Sequence, residues 1–250
     1  MGIARPLDSN TNRAFGAEPT LRQRNRRPDS DYPGSRRCNR TESVLNSIDD
    51  GRMTTTTADP RPLFHAALAW AHDLFAGVTP DQLTGPTPCT EFDVRALMGH
   101  LTATIERGRL LGLGESVADA PEVITGVADD AWPATLDGTA DRYWQVWNDD
   151  AVLDRAVVAP WGTFPGRAAM LVSLNEVLVH GWDLAVATGQ PSEADSALAE
   201  AALAIMQKAL PESPRGGFVP FGPVVPTADD AGATERLVNW AGRESAPWRG

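Results

Sequence analysis

Glu176 and His180 lie in the run Leu174-Asn175-Glu176-Val177-Leu178-Val179-His180-Gly181-Trp182-Asp183. On a helix, a carboxylate and an imidazole four residues apart share one face, about 6 Å apart along the axis. Such a pair offers two donors to a divalent ion and needs a third from another element. His100, in Val94-Arg95-Ala96-Leu97-Met98-Gly99-His100-Leu101, stands in a similar apolar helical setting. Two imidazoles and one carboxylate make a three-ligand site for a divalent first-row ion, leaving coordination positions open. An ion held that way lowers the pKa of a water or thiol at the open position. Asp183, three residues after His180, could accept the imidazole N–H, act as a fourth ligand, or cap a neighbouring loop; the first is preferred. The competing reading of Glu176 and His180 is a solvated or boundary face. Leu174, Val177, Leu178, Val179, Leu184 and Ala185 crowd the pair with apolar groups and make a solvated face uncomfortable.

Helices must position these groups. Apolar residues recur at helical spacing after Pro62, from Leu63 to Phe75, with Gly77 beyond the end. Thr90-Glu91-Phe92-Asp93 has the form of a capping box with Asp replacing the usual Glu, and it opens the helix of His100. Residues 112–133 are rich in Gly, Asp and Pro and read as irregular; a third helix runs from 135 to 150, with Trp144 and Trp147 on one face. Residues 151–165 suit a short hairpin or extended excursion. The helix of Glu176 and His180 then spans about 167 to 188, stopped by Gly189. Two more are expected, over 192–210 with Ser192 as cap and over 231–241. His65 and His72, seven residues apart on the first helix, read as boundary residues. The fold class is all-α: an up-and-down four-helix bundle with a short extended or hairpin insertion and a small C-terminal appendage.

The chain has 250 residues and a net charge of -11, unevenly spread. Residues 1–52 carry ten Arg against seven acidic groups, whereas 53–250 carry 12 basic against 26 acidic groups. The acidic body argues against nucleic acid as a partner. No apolar run approaches the roughly 20 residues of a membrane span, and the first residues lack the apolar core of a secretory signal. A cytoplasmic protein with reduced Cys38 and Cys89 is expected. Residues 1–56, polar and Arg-rich, are expected to be a disordered extension ahead of a folded domain over 57–250. Met53, followed by four threonines, reads as an alternative start that would make the upstream segment misassigned. A basic arm for an acidic partner is the other reading.

The segments Thr87-Pro88-Cys89-Thr90-Glu91-Phe92-Asp93-Val94-Arg95-Ala96-Leu97-Met98-Gly99-His100 and Asn175-Glu176-Val177-Leu178-Val179-His180-Gly181-Trp182-Asp183-Leu184-Ala185-Val186-Ala187-Thr188-Gly189-Gln190 resemble the metal-binding domain of mycothiol-dependent maleylpyruvate isomerases. That domain belongs to the DinB/YfiT-like group of metalloenzymes. Phe221-Gly222-Pro223-Val224-Val225-Pro226 and Arg236-Leu237-Val238-Asn239-Trp240-Ala241-Gly242-Arg243 resemble the ending of a single-domain actinobacterial branch. The resemblance implies a four-helix bundle holding zinc or a similar divalent ion through His100, Glu176 and His180, with mycothiol as cosubstrate. The isomerase itself carries a further C-terminal domain that handles substrate. The expected activity is therefore a mycothiol-dependent S-transferase or detoxifying reaction joining a small thiol to an electrophile, in a monomer or homodimer. The alternative is a non-catalytic metal-binding or regulatory protein that keeps the bundle and the site.

Overall fold

The computed structural model describes residues 59–159, 162–216 and 221–249. The expected disorder of residues 1–56, and the choice between start sites, lie outside them. The described residues are mainly helical: α1 (Arg61–Gly77), α2 (Val94–Leu113), α3 (Trp132–Trp147), α4 (Asp150–Asp154), α5 (Gly166–Thr188), α6 (Ser196–Ala209) and α7 (Ala233–Trp240). Between α4 and α5, β1 (Ala156–Ala159) and β2 (Gly162–Pro165) form a hairpin with Ala156 opposite Pro165 and Val157 opposite Phe164. The expected insertion is this hairpin, preceded by one short helix.

Helices α1, α2, α3 and α5 make the bundle, and α6 and α7 pack together against α5. Aromatic side chains fill the interface of α1 with α3. Phe64 meets Tyr143 at 4.9 Å between ring centroids and Phe75 meets Trp132 at 6.5 Å, so the two helices run antiparallel. The Trp147 indole donates to the Gly108 carbonyl at 3.0 Å. Tyr143 lies beside Gly108 and Trp147 beside Gly112, so α2 and α3 run parallel. This corrects the up-and-down arrangement expected from the sequence. The order is up, down, down, up, and the connection over 114–131 is a crossover returning along α2, not a turn. Its length and composition marked a long loop, but nothing local in it marked the direction of the next helix.

Helix α5 runs antiparallel to α2 and parallel to α1. It is long and apolar enough to cross a membrane, yet 83% of its most apolar stretch is buried inside the protein. Gly181 permits the approach of α1, because a Cβ there would lie 2.4 Å from Cζ3 of Trp70. The helix ends where expected, at Gly189 in the left-handed region with φ 69°.

Three helix starts differ from the sequence reading. Asp93 itself caps α2, accepting from the Ala96 N–H at 2.8 Å, while Thr87 ties the preceding turn by donating to the Phe92 and Cys89 carbonyls. Helix α3 begins at Trp132, with Pro133 in its first turn. Helix α6 starts after Asp195, which accepts from the Leu198 N–H at 3.1 Å. Ser192 does not begin it: the chain beyond Ser192 is tied to the α7 start, where the Ala194 N–H donates to Thr234 Oγ1 at 3.0 Å and the Glu193 carboxylate accepts from the Thr234 and Glu235 N–H groups at 2.9 and 3.1 Å.

Candidate metal centre

His100 from α2 and Glu176 and His180 from α5 come together at the centre of the bundle. One donor atom from each lies within 4.8 Å of the other two, and the two imidazole centroids are 4.9 Å apart. All three side chains are withdrawn from solvent, at 7%, 9% and 1% exposure respectively. The Glu176 Oε2 to His180 Nε2 distance is 3.6 Å, a spacing that an ion between them could fill.

Each imidazole is held by its other nitrogen. Nδ1 of His100 faces the Glu122 carbonyl oxygen at 3.1 Å. A carbonyl only accepts, so Nδ1 carries the proton and Nε2 keeps its lone pair. Nδ1 of His180 faces Oδ2 of Asp183 at 3.0 Å. Asp183 is fully buried and bound by Arg243, whose Nε and Nη2 donate to its carboxylate at 3.0 Å each. Burial pushes the Asp183 carboxyl up, but Arg243 and the His180 N–H outweigh it and hold it below the usual range. The ionised carboxylate therefore accepts from His180 Nδ1, and Nε2 is the nitrogen turned toward Glu176. Asp183 thus takes the role of imidazole acceptor that was preferred from the sequence.

Arg243 was not anticipated. It lies beyond α7, 60 residues from Asp183, and no local spacing links the two. The visible signal was an Arg within the tail segment, with no indication of its partner.

Burial pushes the Glu176 carboxyl up, yet His180 and His100 beside it hold it below the ordinary value. Burial lowers His180 as well, but Asp183 and Glu176 outweigh this and raise it. His100 goes the other way, down to about 4, through burial and the neighbouring His180. It is therefore a neutral donor at physiological pH.

That depression has a testable sign. The unfolded chain binds a proton at His100 near pH 6.5 and the folded chain near 4, so stability is full above 6.5 and falls as pH drops through this window. The loss integrates to about 3 kcal/mol by pH 4. His180, being raised, titrates above this window. In urea melts of chelator-treated protein between pH 6.5 and 4, wild type should lose about that much more stability than His100→Gln; equal slopes would refute the assignment.

A second cluster, Cys89, His180 and Asp183, also lies within 4.8 Å. It is the poorer cation site, because Arg243 already supplies the positive charge at Asp183 and His180 Nδ1 already donates there. The sequence reading expected reduced thiols; Cys38 lies outside the described residues, and Cys89, 1% exposed, is not a free thiol. His72 sits at the boundary as expected, whereas His65 is exposed. His65 stacks on Trp144 at 3.7 Å between centroids, and His72 Nδ1 is 2.8 Å from Asp137.

The stretch carrying all three candidate ligands matches the sequence profile of the mycothiol maleylpyruvate isomerase N-terminal domain over residues 64–185. Residues 64–185 are similar to that domain family. The family segment includes His100, Glu176, His180 and Asp183, whereas Arg243 lies outside it. Two uncharacterized proteins from two strains of Mycobacterium tuberculosis are each 29% identical over 170 residues, covering 68% of this chain and 90% of theirs. Two crystal structures of the mycothiol-dependent maleylpyruvate isomerase, one of them a mutant, align at a TM-score of 0.41 and 14% identity. Those alignments cover 49% of this chain and 58% of the isomerase, so this chain spans less than two thirds of that enzyme's length.

The donor set fits a divalent ion of the zinc class. The site offers two imidazoles, each anchored at Nδ1 by an acceptor, and one ionised carboxylate.

Proposed function

We propose that this protein is a metal- and thiol-dependent enzyme in which His100, Glu176 and His180 hold a divalent ion, zinc by donor type, and the cosubstrate is mycothiol. The observation that carries this reading is the pair of imidazoles locked by independent acceptors, Glu122 O and Asp183, with a donor atom of each within 4.8 Å of a Glu176 carboxylate oxygen. When bound, the ion supplies Lewis acidity that favours the deprotonated form of a thiol or water. The chain's own groups do the rest. Asp183 and Arg243 fix the plane of His180, the Glu122 carbonyl fixes His100, and burial of all three donors keeps bulk water from competing. The Phe92 ring, 4.9 Å from that of His100 and only partly buried, gives the site an apolar wall.

We assign the reaction to transfer of the thiol onto a small electrophile. In this reaction the thiol gives its proton to solvent and its sulfur bonds to the electrophilic carbon; a halide then departs with the electron pair, or in an epoxide the C–O bond breaks and the ring oxygen takes the pair and a proton from solvent. The test uses zinc-loaded protein with mycothiol and a halo-dinitrobenzene or an epoxide. Thiol consumption at least 10-fold above a His180→Ala control is expected, in keeping with the effect of removing a ligand or its support. Stoichiometric zinc with no consumption above the control across a broad panel of electrophiles would favour the non-catalytic metal-binding reading.

A further inference from the structure

We infer that Gly99 and the backbone of residues 122–124 are positioning elements of the metal centre, clamping His100 in the geometry that presents Nε2. This inference rests on the metal reading above and extends it to a part of the chain that carries no candidate ligand.

Three observations converge on one short stretch. The Glu122 carbonyl accepts from His100 Nδ1 at 3.1 Å. Two residues later, the Ile124 N–H donates to the Gly99 carbonyl at 3.1 Å. Third, a Cβ on Gly99 would stand 2.3 Å from the Ile124 oxygen and 2.8 Å from Cγ1 of Val123. Of these, the oxygen belongs to the backbone and cannot swing aside. Any side chain at 99 therefore pushes the 122–124 segment away from α2, and the carbonyl that holds His100 moves with it.

The topology explains why this segment is there. Because α2 and α3 run parallel, the connection after Leu113 must return along much of α2, a helix about 30 Å long. The return path passes His100. Val117 packs into the core early on that path at 5% exposure, and Asp129 pairs with Arg95 at 2.7 Å near its end. The 122–124 stretch is thus anchored on both sides and meets α2 at Gly99 and His100. Phe92 lies against the His100 ring. The ring is therefore held by a hydrogen bond at one nitrogen and by an aromatic contact, which leaves Nε2 as its open atom.

A clamp that positions a ligand is linked to the ion reciprocally: the ion must tighten the clamp as much as the clamp tightens the ion. The experiment uses full-length protein and zinc alone. Zinc affinity is measured by competition with a chromophoric chelator, and amide exchange is followed at Ile124. In wild type, zinc is expected to slow Ile124 exchange at least 10-fold. Gly99→Ala is expected to weaken zinc binding at least 10-fold and to abolish that slowing. Gly138→Ala on α3, where the nearest atom to a new Cβ is the flexible end of Arg142 at 3.8 Å, should match wild type in both measurements. If Gly99→Ala does not fold, Ile124→Pro replaces it with zinc affinity as its readout, expected at least 10-fold weaker, since proline removes the N–H that bonds Gly99 and leaves α2 untouched. Tight zinc binding with unchanged exchange at Ile124, or with wild-type affinity in the variant, would overturn the clamp alone. Failure of wild type to bind zinc would overturn the metal reading and the clamp with it.

Discussion

Replacing Arg243 with methionine is expected to cost about 3–5 kcal/mol of folding stability, as for other buried ion pairs that lose one partner. The same substitution should weaken zinc binding by roughly 10- to 100-fold, the usual effect of losing a group that orients a metal ligand. The stability loss follows from burial, because Asp183 has 0% exposure and Arg243 provides its compensating charge. Without the guanidinium, the carboxylate must either stay charged in an apolar interior or take up a proton. A protonated Asp183 no longer accepts from His180 as an anion, so the imidazole loses the restraint on its tautomer. The double variant Arg243→Met with Asp183→Asn separates the two effects. It should recover much of the stability, having no buried charge, while zinc affinity stays low. Urea denaturation and chelator competition on the same preparations check both. A single variant within 1 kcal/mol of wild type, on the order of an exposed surface pair, would mean that the ion pair is not buried in solution.

Removing a donor should act on the metal more severely than removing its support. His180→Ala is expected to take zinc from stoichiometric to trace levels after gel filtration, because two remaining protein ligands hold a borderline ion poorly. His100→Ala should behave alike. The two differ in origin: His180 lies on the same helix as Glu176, whereas His100 is the contribution of α2. Loss of His180 leaves one donor on each helix, and loss of His100 leaves the i,i+4 pair alone. Elemental analysis of wild type and both variants decides the matter. Unchanged zinc content in either variant would remove that residue from the ligand set.

What was legible in the sequence follows the range of the interactions involved. The i,i+4 relation of Glu176 and His180 is set within one helix turn, so it could be read directly, and so could the stop at Gly189. Asp183 as the partner of His180 was equally local. The joining of His100 to that pair depends on how α2 packs against α5. Residue type and resemblance suggested it, but spacing could not establish it. Arg243 was out of reach, since it meets Asp183 across the whole C-terminal appendage. The direction of α3 was missed for a related reason. Apolar periodicity reports which face of a helix is buried and not which way its neighbour points. The start of α6 was misjudged because Glu193 serves a different helix, α7, a choice made by tertiary structure over local capping preference.

The bond between Asp183 and Arg243 has a temporal side as well. Its two partners stand 60 residues apart, and α6 and α7 lie between them in the chain. Bringing such distant partners together closes a long loop, which carries a larger entropic cost than a contact within one helix. During synthesis α2 and α5 emerge, and can pair, well before the guanidinium arrives. A nascent chain at that stage has its three candidate ligands but holds a buried carboxylate with no counter-charge. If the centre holds an ion as proposed, the Arg243–Asp183 support that orients His180 is complete only once the appendage has docked.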